Sequence, residues 1–302
     1  MAQGRFFEML EKRWAGGARV CVGLDTNPAK LPIGHRLTDG YGTVAAFNLD
    51  IIIATKHHAL AYKPNIAFYS GKFHTEAQEA LHETIDAIRR SAPGVPIILD
   101  AKRADIGDTN VGYVEEAFEA FGADAVTVNP YFGMKAMKPF LDQKDKGIIV
   151  LCRTSNPGAG EFQDRRTEVT DTEADLWGLP RGTHLPLYQI VAYRVSREWN
   201  YLSNCALVVG ATAPEQLGQV RKIVGDDMWI LIPGIGKQGG DLEKSVQNGL
   251  NKHGRGIIIN SSSGIIFASS DPENFANGAY FETKKLTDGI NATIGSLVDR
   301  TA

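Results

Sequence analysis

The sequence predicts an α/β protein folded as a single (β/α)8 barrel, and three observations carry that expectation. Short apolar, β-branched runs recur eight times along the 302 residues. Most are nearly continuous in apolar character, the pattern of strands buried on both faces of a parallel sheet. Helical periodicity fills the gaps between several of them. A doubly wound open sheet is the alternative, but no dinucleotide fingerprint accompanies the eight runs.

In chain order the runs are RVCVGLD (19–25), ALAYKPN (59–65), PIILDAK (96–102), ADAVTVNP (123–130), GIIVLCRTS (147–155), CALVVGAT (205–212), MWILIPGIG (228–236) and RGIIINSSS (255–263). Between the second and third, Ala77, Leu81, Ile85 and Ile88 recur at three- and four-residue spacing and predict a helix over 77–90. Val114, Ala117, Phe118 and Phe121 do the same over 112–121, with Gly122 as the stop. The tail, 270–302, predicts a loop and then a closing helix. Residues 156–186 break the rhythm: they are polar and rich in Gly, Pro, Thr, Asp and Arg. They read as a long loop over the barrel mouth, with a disordered surface insertion as the plainer alternative. A helix near 187–200 follows. No linker divides the chain, so one domain over 1–302 is expected.

Hydrophobic residues make up 43% and charged residues 22%, which suits a globular chain with a sizeable core. The net charge of −3 lacks the basic footprint of a nucleic-acid binder, so any anionic ligand must be held locally. Cys21, Cys152 and Cys205 lie in or beside apolar runs and are too scattered for a disulfide framework or a zinc site. The amphipathic start, MAQGRFFEMLEKRW, is no signal peptide, and no stretch approaches a membrane span. A cytoplasmic protein that meets neither membrane nor nucleic acid is expected.

Active sites of such barrels form where the strands end. Here the first run ends in Asp25, the second in Lys63, and the third in Asp100 and Lys102, with Asp105 just beyond. The fifth ends in Thr154 and Ser155, and the eighth in Asn260 and three serines. Asp100 and Lys102, two apart in an extended segment, should face the same side. With Lys63 and Asp105 they make an alternating set of two positive and two negative groups, which shift one another's titration. The bland reading is a structural ion-pair network at a barrel end. The seventh run ends in PGIGKQGGD (233–241), whose Gly234, Gly236, Gly239 and Gly240 leave amides open to an anion where a helix begins. It is not a Walker loop, since Lys237 lacks the required spacing. The histidines are isolated or surface-like, and no metal-binding spacing exists, so no metal is expected.

These residues resemble a known family. LDAKRADIGDT (99–109) is similar to the signature of the orotidine 5′-phosphate decarboxylases, as are VGLDTNP (22–28), YKPN (62–65), TSNPG (154–158), VVGATAPEQL (208–217) and PGIGKQGGD (233–241), and the longer chain with its TSNPG and VVGATAPE segments is similar to their larger bacterial subgroup. The resemblance implies a cofactor-free decarboxylation of orotidine 5′-monophosphate to uridine 5′-monophosphate in pyrimidine biosynthesis. It implies Lys102 as the proton donor, Asp100 near the departing carboxylate, and Lys63 holding the network and touching the ribose. Asp25 would bind ribose hydroxyls and Ser155 the pyrimidine, while Pro233 and Gln238 would lie in the loop closing on phosphate. Asp105, Ile106 and Thr109 would reach the site of a partner subunit in a homodimer with shared sites. One departure is expected to matter: the family places a phosphate-gripping arginine where INSSSGIIFA (259–268) has Ser263. Losing that bidentate partner should weaken binding. Lys237, inside the glycine turn, or else Arg255, is expected to compensate. Two rivals remain: a magnesium-dependent phosphosugar enzyme on the same barrel, which would want further carboxylates in place of Lys63, and a non-catalytic nucleotide-binding module. A Schiff-base aldolase using Lys102 is disfavoured by the flanking carboxylates.

Overall fold

The computed structural model describes residues 4–32, 42–70, 74–236 and 239–299. Eight parallel strands form one sheet: β1 (Val20–Leu24), β2 (Ala59–Pro64), β3 (Ile98–Arg103), β4 (Ala125–Val128), β5 (Gly147–Arg153), β6 (Cys205–Val209), β7 (Ile230–Pro233) and β8 (Ile257–Ser261). Each strand neighbours the next in sequence, and β1 pairs with β8. Ladders join every neighbouring pair except β2 and β3, which meet only at the bridges Tyr62–Ile97 and Asn65–Asp100. The sheet is thus a closed barrel with one thin seam, and the (β/α)8 expectation holds. The runs are apolar because both faces are covered: every residue of β1, β2, β4, β6 and β8 is buried.

Helices cover the outside. Gly42–Thr55 joins β1 to β2, and His74–Ser91 joins β2 to β3. Asp108–Glu115, extended by a π turn over Glu116–Ala120, leads to β4. Gly133–Leu141, Leu187–Arg194, Pro214–Val224 and Leu242–Gly249 follow the later strands, and Phe275–Asp299 closes the chain as the tail pattern predicts. None of the described helices is long and apolar enough to cross a membrane.

The amino-terminal end of the barrel is sealed. Helix Arg5–Ala15 buries Phe6, Phe7, Leu10 and Trp14, and Arg13 donates to the carbonyls of Lys56 and Ala59 before and at the start of β2. Gly147 opens β5 because a Cβ there would stand 2.3 Å from the Phe6 ring. Arg221 is buried and forms no carboxylate salt bridge among the described residues, Asp226 acting on it only from a distance. It donates instead to the carbonyls of Gly225, Met228, Gly249 and Gly256 at 2.7 to 2.8 Å, tying together the loops that enter β7 and β8. Burial lowers its pKa to about 10. Cys21, Cys152 and Cys205 are free and buried, and burial pushes the Cys21 thiol up to about 12.

The polar segment 156–186 carries structure of its own. A short helix, Gly160–Gln163, precedes an antiparallel pair, Arg166–Glu168 with His184–Pro186. Helix Asp171–Trp177 lies between these strands, started by a Thr170–Glu173 capping box. Val169, Ala174 and Trp177 bury a small apolar cluster separate from the barrel core. The long segment thus holds two short helices and a strand pair. Three apolar side chains and one capping box fold it, signals too sparse to see against its polar composition.

Candidate active site

The carboxyl-terminal rim is shaped by one device used three times. Asn27, Asn65 and Asn129 each follow a strand, and each side chain accepts from the amide two residues on, turning the chain into a short 3-10 helix. Below the rim, Thr26 donates to Asn48, which donates to Tyr69 and Thr84, while the Tyr69 hydroxyl donates to the Leu24 carbonyl. This buried, satisfied network fixes the backbone that carries Asp25.

Four charged side chains form an alternating chain across β1, β2 and β3. Lys63 Nζ lies 3.8 Å from Asp25 Oδ1 and donates to Asp100 Oδ2 at 2.8 Å, and Lys102 Nζ donates to Asp100 Oδ1 at 2.6 Å. Lys63 is only 3% exposed. Burial alone would lower its pKa, but Asp100 and Asp25 outweigh it and hold the ammonium above its usual range. Burial opposes the charge on Asp100 likewise, yet Lys63 and Lys102 keep it well below the usual carboxylate range. Asp25 lines the cavity, and its buried Oδ1, ion-paired with Lys63, accepts no hydrogen bond among the described residues.

Two sequence expectations change here. Asp100 and Lys102 meet, but not by strand alternation. Leu99 pairs with Val126 and Arg103 with Val128, so residues 100–102 bulge opposite Thr127 alone. Lys102 takes a left-handed backbone, φ +47°, rare for a residue with a Cβ. Within one chain, moreover, the fourth member of the set is Asp25, not Asp105. Asp105 sits in the next turn, where its backbone is clasped by the Asn110 side chain and its carboxylate accepts from the Ile106 amide at 2.7 Å. Ile106 is 62% exposed, and Thr109 also faces outward.

A cavity of about 630 Å³ opens over the charged chain. Of the residues singled out in the sequence, Asp25, Lys63, Asp100, Lys102, Ser155, Pro233, Gly234 and Ser263 line it, whereas Asp105, Ile106 and Thr109 do not. Lys237 and Gln238 lie outside the described residues. The glycine turn is partly self-satisfied: Gly239 donates to the Gly236 carbonyl and Gly240 to that of Gly234, so not all its amides are open. Gly240 is required, since a Cβ would stand 2.5 Å from Ala211 Cβ. The helix that follows is capped by Asp241, whose side chain accepts from the Lys244 amide. Arg255 cannot replace the missing arginine. It precedes β8 at the far end of the barrel and pairs with Glu11 at 3.3 Å.

Several cavity residues escaped the sequence reading. Lys30, on the turn Pro28–Lys30 beside β8, is a cavity cation with no ion pair among the described residues. Gln163 comes from the 156–186 segment and locks to the rim through Thr154, whose amide donates to it at 2.8 Å. Thr127 carries no signal beyond its place in an apolar strand. Ile106, Val111, Tyr131, Phe132 and Met134 are exposed apolar side chains on or next to two helices, with Tyr131 88% exposed and edge-on to Phe132. The two helices, Asp108–Glu115 and Gly133–Leu141, pack on each other. No cluster of three or more His, Cys, Asp or Glu able to hold a metal occurs among the described residues.

Comparison with known proteins accords with this layout. The chain is 44% identical over 288 residues to an orotidine 5′-phosphate decarboxylase of Ralstonia pickettii, covering 95% of this chain and 98% of the relative. A decarboxylase of the same description from Cellvibrio japonicus is 42% identical over 287 residues, covering 95% and 98%. Among solved structures, the OMP decarboxylase of Leishmania donovani superimposes with a TM-score of 0.77 at 35% identity, covering 96% of this chain and 98% of that one. The UMP synthase of Leishmania donovani gives 0.79 at 36% identity, with 97% of this chain but only 57% of the longer one covered. Residues 18–278 match the profile of the Orotidine 5′-phosphate decarboxylase / HUMPS family, and the chain belongs to that family.

Proposed function

We infer that this chain decarboxylates orotidine 5′-monophosphate to uridine 5′-monophosphate, the reaction that closes pyrimidine nucleotide synthesis. The observation that carries the reading is the chain Asp25–Lys63–Asp100–Lys102 along one wall of the cavity. The bond from ring carbon six to the carboxylate breaks, its electron pair stays on the ring, and carbon dioxide leaves. The Lys102 ammonium stabilises that pair and then transfers a proton to the carbon. Its side chain is half exposed, so solvent can restore the proton. No cofactor is required, because a preorganised field and a nearby acid replace delocalisation. Lys63 stands where a divalent cation would need acceptors, which disfavours the magnesium rival.

The other residues take roles that suit their places. Asp25, at the cavity wall, accepts from a ribose hydroxyl, and Lys63 supports it. Ser155 meets the pyrimidine. Pro233, Gly234 and Ser263 face the phosphate, with Gln238 and Lys237 on the same turn, and Lys30 supplies a positive charge from the neighbouring loop. The segment 156–186, anchored by Gln163, covers the barrel mouth as part of one domain. Two copies pair through the patch around Tyr131, so that Asp105, Ile106 and Thr109 of one copy approach the cavity of the other. The three buried thiols accord with a cytoplasmic setting.

The test is a spectrophotometric assay with orotidine 5′-monophosphate and a chelator, run beside the Lys102→Ala variant. Turnover that survives the chelator and vanishes in the variant is expected. Absence of turnover, with uridine 5′-monophosphate still bound, would instead favour the nucleotide-binding module.

A further inference from the structure

We propose that Thr127 is the positioning residue that holds the catalytic lysine in its working geometry, an inference that rests on the decarboxylase reading. Thr127 is 1% exposed, on β4, at the floor of the cavity. It faces the bulge in which three residues of β3 oppose it alone. The normal ladder is broken there, so the amides of the bulge need other acceptors. The Thr127 hydroxyl supplies one: Oγ1 accepts from Ala101 N and from Lys102 N, each at 3.0 Å.

A hydroxyl oxygen has two lone pairs and one proton. Two backbone N–H groups, which can only donate, occupy both lone pairs. The remaining proton therefore points to Asp100 Oδ1, 2.9 Å away. One atom thus fixes three things: the left-handed backbone of Lys102, the orientation of the Asp100 carboxylate, and the oxygen that receives the Lys102 ammonium at 2.6 Å. Backbone held in a sparsely populated region survives only where its surroundings impose it, and such places cluster at functional sites. Valine has the same shape as threonine and suits a strand equally well, so packing alone does not call for the hydroxyl. Lys102 needs a defined position because proton delivery to a ring carbon depends steeply on geometry, whereas binding of the nucleotide through ribose and phosphate does not involve Thr127.

The test compares wild type with Thr127→Val and Thr127→Ser, measuring kcat, KM and the Kd for uridine 5′-monophosphate. Thr127→Val should lower kcat about 10- to 100-fold while KM and the product Kd stay within about threefold. Thr127→Ser, which keeps the hydroxyl, should restore kcat to within about threefold of wild type. Should Thr127→Val not fold, Thr127→Ala takes its place with the same expectation. The proposal is overturned if the hydroxyl-free variant keeps kcat within about twofold, if kcat and product affinity fall together, or if serine does not rescue. A wild type that turns over no orotidine 5′-monophosphate would sink the decarboxylase reading itself, a result distinct from any of these.

Discussion

Lys63 donates to Asp100 Oδ2 at 2.8 Å across the seam between β2 and β3, where only two isolated bridges join the strands. A buried ion pair of the site therefore lies where the ladder is thinnest. The charged chain thus helps hold together the two strands that main-chain pairing joins least.

That coupling sets a pH dependence of stability. Asp100 is depressed in the folded state, so its contribution is present above about pH 4, the unfolded carboxylate value, and is lost as pH falls. Lys63 is raised, so its contribution is complete below about pH 10, the unfolded amine value, and is lost as pH rises. Urea midpoints should be level between these limits and drop outside them. The double variant Lys63→Met, Asp100→Asn should show a shallower drop at both ends. Lys63→Met alone leaves Asp100 without its buried partner and should cost about 3 to 5 kcal/mol.

Lys102→Ala should behave oppositely. Its side chain is half exposed, and among the described residues it pairs with Asp100 alone, so removal should lower the urea midpoint far less than Lys63→Met does. Activity should fall by about 10³-fold or more, since the acid and the nearest stabilising charge vanish together. Steady-state rates and unfolding curves on the same sample check both halves.

Phosphate affinity should respond at position 263, a serine where the family resemblance implies an arginine. Ser263→Arg introduces a charged, bidentate donor at the cavity rim and should lower KM about tenfold. Lys30→Ala should raise KM about three- to tenfold with kcat less affected, and the effect should fade as salt is added. A Lys30→Ala variant with unchanged KM would remove that residue from the phosphate site.

The proposed pairing of two copies predicts a dependence on the exposed apolar side chains around Tyr131. Tyr131→Glu puts a charge at the most exposed ring and should shift sedimentation from dimer towards monomer. Activity should fall with it, because Asp105 and Thr109 would no longer approach a neighbouring cavity.

At the other end, Arg221→Lys should cost about 2 to 4 kcal/mol, since one ammonium cannot reach the four carbonyls that the guanidinium serves. Specific activity of the folded fraction should not change.

The barrel was legible because strands buried on both faces write themselves as unbroken apolar runs, and all eight runs contain a strand. Charges at strand ends were equally visible: Asp25, Lys63, Asp100 and Lys102 all reach the cavity. What escaped was geometry that composition does not encode. The bulge opposite Thr127 depends on one hydroxyl inside an apolar strand, and the contact of Asp100 with Lys102 arises from that bulge instead of from alternation. Arg255 looked near the site only because it borders the eighth run; strand direction sends it to the far end. The fold within 156–186 rests on a cluster of three buried side chains, below the threshold of any periodicity.

The Arg221 clamp has a consequence for how such a chain can change over generations. Its four acceptors are main-chain carbonyls, but three of them belong to Gly225, Gly249 and Gly256. Gly225 and Gly256 hold positive φ, and a Cβ at Gly249 would stand 2.9 Å from Ile232 and Ile257. The closed end of the barrel is therefore as intolerant of substitution at these three positions as the mouth is at its charged chain, although it meets no substrate.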